Sequence, residues 1–358
     1  MTTPLQRWLP AGTAFDPQQH VFWAGKAQGR SLAEALPGVQ VLLLGAHASA
    51  AIPEELREFI APQLTARQQF DFSDVSTAAL ARAWCARDEA VLYIENPMSR
   101  LVLDPNRAAP ADIEPGLREA FARIAATPAG SLPKLGGVDA VRPVSFAGAP
   151  VLRAPDDDSG WARLLAALNA CALCGPRSYA AQVDQLLDEI LAQRPAGDAA
   201  PLHVISLHDT MNTTCRADGA IVQARAPADC LPALANIGNR GNPDGEAEGD
   251  TPVTLPAVAL RRVAAALREA FGVQAEAVTL NRPYKGAEET RRLGRRLQGH
   301  ARRNWGVWQL ELLREALLGP AATAHLQAPG TDWPPTDTAH VEQFAVAMKR
   351  ARQQWSAW

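Results

Sequence analysis

Two histidines follow short apolar runs, each of which predicts a buried strand. His47 comes three residues after the run 39–44, and His208 comes two residues after the run 202–206. A side chain at the end of a rigid strand is held well enough to bind a metal, and neutral imidazole is a common zinc ligand. Either histidine alone is more simply explained as a core or loop residue. Together they predict one ion held between two strand ends.

Glu311 lies in a third run, residues 307–312, where polar and apolar side chains alternate. The period of two places Glu311 on the face of a strand opposite Trp308 and Leu310. A carboxylate on a core strand is costly to bury unless it has a use, and a general base beside a metal-activated water is such a use. The alternative is an edge strand whose polar face is solvated.

Cationic residues follow two further predicted strands. Arg100 and Arg107 come after one of them, and Arg282 and Lys285 come after the other. A guanidinium offers a planar fork that matches a carboxylate with two hydrogen bonds. Several such cations at strand ends suit a substrate with carboxylates, although each one could also be a solvated loop charge.

The elements that would position these residues alternate between strand and helix patterns. The predicted strands cover residues 39–44, 90–94, 202–206, 273–280 and 307–312, and the predicted helices cover residues 52–64, 255–271 and a C-terminal segment around 341–351. This alternation predicts an α/β fold of three layers, with a mixed, mostly parallel sheet and helices on both faces. Such sheets bind ligands at the carboxyl ends of their strands.

Two stretches interrupt the alternation. Residues 108–155 are rich in Ala, Pro and Gly with a helical piece near 117–126, and residues 236–252 are polar and predict a long loop. Strand patterns continue on both sides of each stretch. We therefore expect residues 1–358 to form a single domain with an insertion around 108–155.

Composition excludes several classes of function. The net charge of −3 gives no field that would hold nucleic acid or an acidic membrane. The basic run from Arg291 to Arg303 lacks interleaved aromatic residues and predicts a solvated helix face, with contact to nucleic acid as the minor alternative. No apolar run is long enough to span a bilayer, and no secretory signal precedes the first strand. The expected location is the cytoplasm.

Six short segments, taken in order, resemble motifs of the N-formylglutamate amidohydrolase family. They run from about residue 39 to 318, and the match of 281–286 to Asn-Arg-Pro-Tyr-Lys-Gly is the closest of them. The segments are His47-Ala48-Ser49-Ala50-Ala51-Ile52-Pro53, Asp74-Val75, Ser99-Arg100 with Asp104-Pro105-Asn106-Arg107, His208, Asn281-Arg282-Pro283-Tyr284-Lys285-Gly286, and Gln309-Leu310-Glu311.

The resemblance implies a zinc-carboxypeptidase-like fold, one divalent metal ion with Zn²⁺ expected, and hydrolysis of N-formyl-L-glutamate to formate and glutamate. The partner it implies is a small carboxylate-bearing molecule. The implied site residues are His47, Asp74 and His208 as metal ligands, Glu311 as the general base, and Asn106, Arg107, Arg100, Arg282 and Lys285 as substrate-binding residues.

The chain also departs from the family pattern. Ser206 stands where the family has an aspartate two residues before the second histidine, and Asp209 stands where it has a serine. The family's Pro-Tyr-His falls at residues 181–183, Ala287 replaces a glycine, and Asn239 replaces an aspartate. Two alternatives therefore stay open. One is hydrolysis of another N-acyl amino acid, peptide or biosynthetic intermediate, with iron or manganese as other possible metals. The other is a non-catalytic binding protein.

Overall fold

The apolar runs of the sequence form a central sheet in a computed structural model, which describes residues 5–195, 200–298 and 304–356. The chain has eleven strands among the described residues, seven of them in this sheet, where the strands are short at the edges and longer in the middle. Their bounds are β1 Trp8–Leu9, β2 Val21–Trp23, β3 Val41–Gly45, β4 Ile52–Pro53, β5 Val91–Glu95, β6 Leu202–Thr210, β7 Thr213–Cys215, β8 Ile221–Ala224, β9 Ala235–Gly238, β10 Val278–Leu280 and β11 Trp305–Leu313.

The helices include several that are only one turn long. Their bounds are α1 Pro17–His20, α2 Leu32–Ala35, α3 Ala66–Asp71, α4 Ser76–Arg87, α5 Glu114–Ala125, α6 Asp158–Ala172, α7 Ser178–Ala192, α8 Ala257–Phe271, α9 Glu288–Gln298, α10 Arg314–Leu318, α11 Pro320–Gln327 and α12 Thr338–Ser356. A π-helical turn, Leu173–Arg177, joins α6 to α7.

Seven strands form the main sheet in the order β10-β9-β11-β6-β3-β5-β2. The four central strands run parallel to one another, whereas β9 is antiparallel to β11 and β2 is antiparallel to β5. The predicted mixed, mostly parallel sheet is therefore confirmed. The smaller pairs β1–β4 and β7–β8 lie outside it.

Helices cover both faces of the main sheet, which confirms the three-layer prediction. Side chains of α4, α8 and α12 pack on one face around Trp84, Leu260 and Met348. Side chains of α7 and α9 pack on the other face around Leu187 and Leu293. Alternation along each strand sends successive side chains into these two cores.

Two of the sequence predictions for this region are wrong in detail. The predicted helix over 52–64 is instead strand β4 followed by the 3₁₀ helix Glu54–Phe59. Ile52 and Pro53 pair with Trp8 and Leu9 of β1, and that pairing overrides the helical signal. The predicted strand over 273–280 is reduced to β10, because the 3₁₀ turn Ala275–Ala277 precedes it.

Strands β2 and β9 were not anticipated. Strand β9 occupies the start of the segment predicted as a long loop, and it separates β11 from β10. As a result β11 lies between two neighbours, and the alternative of an edge strand with a solvated face does not apply to Glu311, which is buried.

Two features bear on the excluded classes of function. On α9, Arg292 and Arg296 pair with Asp184 and Asp188 of α7, so these cations face carboxylates; Arg302 and Arg303 lie outside the described residues. Among the residues that the structure describes, no helix combines the length and apolarity that crossing a bilayer requires.

Candidate metal centre and cleft

The site forms at the carboxyl ends of β3 and β6, which are adjacent parallel strands. His47 lies in the loop directly after β3, and His208 lies near the end of β6. Their ring centroids are 4.9 Å apart. Asp74 reaches the same point from the loop before α4, where its backbone N–H donates to the carbonyl of His47 at 3.0 Å.

Three potential ligand atoms converge on this point. Nδ1 of His47 lies 3.2 Å from Oδ2 of Asp74, and Nδ1 of His208 lies 2.7 Å from the same oxygen. One ligand atom from each of the three residues falls within 4.8 Å of the others, and all three side chains are buried. Two imidazoles and a carboxylate, far apart in the chain, therefore share one small volume.

The donor set suits a divalent cation. Donors bound tetrahedrally to one zinc ion at about 2.0–2.1 Å are about 3.3 Å apart, close to the spacings between Asp74 and the two histidines. Two histidines and one carboxylate also leave a coordination position open for water. Their outer nitrogens are hydrogen-bonded to other side chains, as histidines that bind metals usually are.

His47 is held by a carboxylate on its outer side. Its Nε2 lies 2.6 Å from Oδ1 of Asp104, and the other oxygen of Asp104 accepts from Nη2 of Arg100 at 2.6 Å. Burial raises the pKa of Asp104, but the charge of Arg100 and then that of His47 hold it well below its usual value. Asp104 is therefore an anion that orients the ring of His47.

His208 is held differently. Its Nε2 lies 2.9 Å from the hydroxyl of Ser206 and 3.2 Å from the amide Nδ2 of Asn106. Burial lowers the pKa of His208, but its hydrogen bond and ion pair with Asp74 raise it above the usual value overall. Among the residues that the structure describes, no carboxylate oxygen pairs directly with this outer nitrogen.

Glu311 lies opposite His208 in the register of β11 and β6. Both carboxylate oxygens accept hydrogen bonds, from Oγ1 of Thr210 and from Nε2 of Gln309, each at 2.7 Å. Burial raises the pKa of Glu311, an effect that the charge of His208 opposes and that of Asp74 reinforces. A buried carboxylate with a raised pKa is suited to accept and return a proton near neutral pH.

Arg314 is buried beside the cluster and holds the segments around it together. Its guanidinium donates to Asp209, to Oδ1 of Asp71 at 2.9 Å and to the carbonyl of Ser73 at 2.9 Å. Burial lowers the pKa of Arg314, but the charges of Asp209, Asp71 and Asp74 raise it overall. Arg314 thus ties the start of α10 to the loop that carries Asp74.

A cleft of about 570 Å³ opens above the cluster, and His47, Asp74, His208 and Glu311 all line it. A larger cavity of about 1040 Å³ lies behind the loop of residues 48–51, and none of these four residues lines it. Chemistry and not size therefore decides which cavity is the candidate active site.

The comparisons with known proteins identify the family of this chain. The family model described as N-formylglutamate amidohydrolase matches residues 39–317, which is most of the chain. The chain belongs to the N-formylglutamate amidohydrolase family. This family and the fold support a hydrolase of the N-formylglutamate amidohydrolase type that acts on an amide. No protein of curated function matches the chain.

Two solved structures share the fold of this family member. One is N-formylglutamate amidohydrolase from Ralstonia eutropha JMP134, with 18% identity, a TM-score of 0.55 and coverage of 93% of this chain and 96% of that one. The other is a gene product of Agrobacterium tumefaciens, with 16% identity, a TM-score of 0.52 and the same two coverages, 93% and 96%. At these identities the likeness extends to the fold alone.

The four cations among the predicted substrate-binding residues of this amidohydrolase fall into three groups. Arg100 and Arg107 line the cleft, but each pairs with a carboxylate, Arg107 with Asp139 at 2.8 Å. Lys285 also lines it and pairs with Glu248 at the surface. The structure does not bring Arg282 to the cleft: it lines a separate groove beside α8. Arg282 lies in the turn directly after β10, where Asn281 has a φ of +54°, and its neighbours in the groove include residues of α8 and β10.

Asn106, predicted to bind substrate, lines the cleft and also connects the supports of the two histidines. Its backbone N–H donates to Oδ1 of Asp104 at 2.8 Å, and its amide Nδ2 faces His208. Its side-chain oxygen accepts the backbone N–H of Glu289 at 3.1 Å. These contacts bury the side chain, so one part of its role is structural.

Sequence reasoning missed several residues of the site. Asp104 lies in the family-like segment 99–107, four residues after Arg100, and this spacing could have indicated that it belongs to the site. Arg225 follows the edge strand β8, and Glu289 lies on α9; neither has a local sequence signal. Arg225 and Tyr284 both line the cleft, and the charge of Arg225 opposes the rise that burial causes in the pKa of Tyr284.

Proposed function

We propose that this protein is a metal-dependent amidohydrolase that cleaves the amide of an N-formyl or N-acyl amino acid. The observation that carries the proposal is the convergence of His47, Asp74 and His208 in a cleft that also contains Glu311. These three residues would hold one divalent ion, with zinc expected from two imidazoles and a carboxylate. When bound, such an ion supplies a Lewis acid and lowers the pKa of water.

Glu311 carries the proton in this proposal. It accepts a proton as water adds to the amide carbon, and it delivers that proton to the nitrogen as the carbon–nitrogen bond breaks, which gives a carboxylic acid and an amine. Thr210 and Gln309 hold both carboxylate oxygens, so the group is oriented before substrate arrives. Its raised pKa makes it a stronger base than an ordinary glutamate, which favours the first of these two proton transfers.

The experiment that tests the base is Glu311→Gln. We expect turnover of an N-acyl amino acid to fall by about 10²–10⁴-fold while the bound metal, measured by elemental analysis, stays equal to that of wild type. Glu89→Gln, at an exposed carboxylate, is the control and should keep wild-type turnover. Full activity of Glu311→Gln would show that Glu311 is not the general base. Wild-type protein that contains no stoichiometric metal would contradict the metal-dependent mechanism.

Arg225 is our candidate for binding the substrate carboxylate. Its side chain is half-buried in the cleft, and among the described residues it forms no ion pair, whereas the guanidiniums of Arg100, Arg107 and Arg314 are paired with carboxylates. A guanidinium without a carboxylate partner inside a cleft is available for one from the substrate. Tyr284 would donate a further hydrogen bond from beside it.

Arg225→Met keeps the apolar stem and removes the charge. Because a hydrogen bond to a charged group contributes about 1.5–3 kcal/mol, we expect KM to rise about 10–100-fold with a smaller change in kcat. Arg216→Met, at an exposed position of the neighbouring turn, is the control. Analogues of the substrate that lack the carboxylate should react equally well with wild type and with Arg225→Met. If Arg225→Met prefers the carboxylate-bearing substrate as strongly as wild type does, the assignment of Arg225 is contradicted.

A second candidate substrate is an N-acyl amino acid with an apolar acyl group larger than formyl. Leu132 and Phe146 line the cleft although they are 59% and 40% exposed, and Phe146 packs against Phe72 with ring centroids 5.6 Å apart. We propose that the insertion at 108–155 supplies this apolar wall. Phe146→Ala should then reduce kcat/KM for an N-benzoyl amino acid and leave that for the N-formyl compound within about twofold of wild type.

A further inference from the structure

A buried chain of hydrogen bonds connects the outer nitrogen of His208 to a carboxylate on α9. The hydroxyl of Ser206 lies 2.9 Å from Nε2 of His208 and 2.7 Å from Oε2 of Glu289. The hydroxyl of Tyr179, on α7, donates to the other oxygen of Glu289 at 3.0 Å. All of these side chains are buried, with Ser206 and Tyr179 both 0% and Glu289 2% exposed.

We propose that Glu289 is a positioning residue that acts through Ser206 to orient His208 and strengthen its binding of a metal ion. This inference rests on the proposed function, because it assumes that His208 is a ligand. The inference goes beyond the proposed function, because neither Glu289 nor Tyr179 lines the cleft or belongs to any of the motifs that point to the family.

The directions of the hydrogen bonds carry the argument. An ionised carboxylate only accepts, so Ser206 must give its single hydroxyl proton to Glu289. The lone pair of the Ser206 oxygen then faces Nε2 of His208 and favours a proton there. A histidine protonated on Nε2 has its lone pair on Nδ1, which is the atom that points at Asp74 and the cluster.

Asn106 acts against this arrangement. Its side-chain oxygen accepts the backbone N–H of Glu289, so the group that faces His208 at 3.2 Å is the amide donor. A donor at that point favours a lone pair on Nε2 and a proton on Nδ1, which suits a hydrogen bond to Asp74 when no metal is bound. The shorter contact to Ser206 and the charge behind it favour the opposite tautomer, the one that binds metal.

Tyr179 completes the relay by supporting the charge of Glu289. Burial raises the pKa of Tyr179 well above its usual value, so this hydroxyl stays protonated and donates. Glu289 thus accepts from both Tyr179 and Ser206, and both of its oxygens are satisfied without a cation. The chain has Ser206 where its family has an aspartate, and the relay returns a carboxylate to His208 through one hydroxyl.

The test is the affinity of the metal-free protein for Zn²⁺ and for Co²⁺, each measured by competition with a chromophoric chelator. We expect Glu289→Gln to bind each ion about 10–100-fold more weakly than wild type, as other losses of such outer partners do. The glutamine amide can donate to Ser206, which would turn the hydroxyl proton toward Nε2 of His208. Glu288→Gln removes the neighbouring charge on the same helix and should leave both affinities unchanged.

A rescue separates orientation of His208 from mere support of the fold. The double substitution Ser206→Asp with Glu289→Gln places a carboxylate beside Nε2 directly, and we expect it to return the affinity to within about threefold of wild type. Should Glu289→Gln fail to fold, Ser206→Ala removes the same relay with a smaller change and should weaken binding about tenfold.

Wild-type affinity in Glu289→Gln, or in a folded Ser206→Ala, would overturn the relay while leaving the metal site intact. Failure of the double substitution to restore binding to a folded protein would also overturn it. A wild-type protein that binds neither ion would instead overturn the proposed function, and the relay with it. The two failures are thus distinguishable.

Discussion

Strand β6 carries two buried histidines whose surroundings differ completely. At its amino end, His203 stacks on Trp355 with ring centroids 6.0 Å apart and accepts a hydrogen bond from Trp308 at 3.1 Å. At its carboxyl end, His208 faces Asp74 at 2.7 Å. Burial among aromatic rings lowers the pKa of His203 to about 4, whereas Asp74 outweighs burial and raises the pKa of His208.

The comparison shows that neither residue type nor burial decides what a histidine does. The two histidines are five positions apart on one strand, and an odd offset places their side chains on opposite faces of the sheet. His203 therefore points into the core under α12, and His208 points toward α9 and the cleft. A carboxylate partner makes the difference, because it turns a buried neutral ring into a potential ligand. The predictions below test how far the two histidines can be interchanged.

Removal of His208 should have the largest effect. We expect His208→Ala to weaken metal binding by more than the roughly 100-fold that loss of an outer partner costs, and to abolish turnover, because one of three ligands is gone. His203→Gln, a substitution on the same strand, should keep metal content and leave kcat/KM within about twofold. Equal metal affinity of these two variants would remove the functional distinction between the strand ends.

Loss of the carboxylate behind His47 should come next. Asp104→Asn leaves the buried Arg100 without its close anion, which should lower the free energy of unfolding by about 3–5 kcal/mol. It should also weaken metal binding about 10–100-fold. Urea unfolding measures the first effect and chelator competition the second, with Asp139→Asn, the partner of Arg107, as the milder control.

The smallest effect belongs to His203 and appears only with pH. Its folded-state pKa of about 4 lies below the usual 6.5. Between these two pH values the unfolded chain is protonated at His203 and the folded protein is not. The stability from this group is therefore fully present above pH 6.5 and is lost as pH falls toward 4, by up to about 3 kcal/mol.

The difference between wild type and His203→Gln isolates that contribution. Glutamine keeps an acceptor for Trp308 but does not titrate, so urea unfolding between pH 7 and pH 4.5 should show a smaller fall in stability for the variant. A parallel pH dependence of the two proteins would contradict the lowered pKa.

The same contrast explains what could be foreseen from the sequence. Short apolar runs predicted the four central strands, and a histidine beyond such a run marks a strand end, so His47 and His208 could be singled out. Asp74 could be chosen only by resemblance, because its place depends on how the loop before α4 folds back. The assigned roles of all these residues stay predictions.

Other features depend on contacts that no local pattern records. Strand β9 is four residues long and forms because it pairs with both β11 and β10, against a loop-like composition. Glu289 meets Ser206 only because α9 packs on the face of β6 that carries even-numbered residues. The prediction of a helix over 52–64 failed for the same reason, since pairing with β1 is a long-range event.

The pairing of β6 with β11 also determines where this chain tolerates changes in length. Glu311 lies opposite His208 because the two strands align residue by residue from Trp305 and Leu202 onward. An insertion or deletion of one residue near the start of β11 would shift its register against β6 by one. The two faces of the strand would then exchange, so that Glu311 would point into the core beneath α8 and Trp308 would point toward α9. Gaps between homologous chains are therefore expected in the connecting loops. An alignment that places a gap inside β11 would assign the position of Glu311 to the wrong residue.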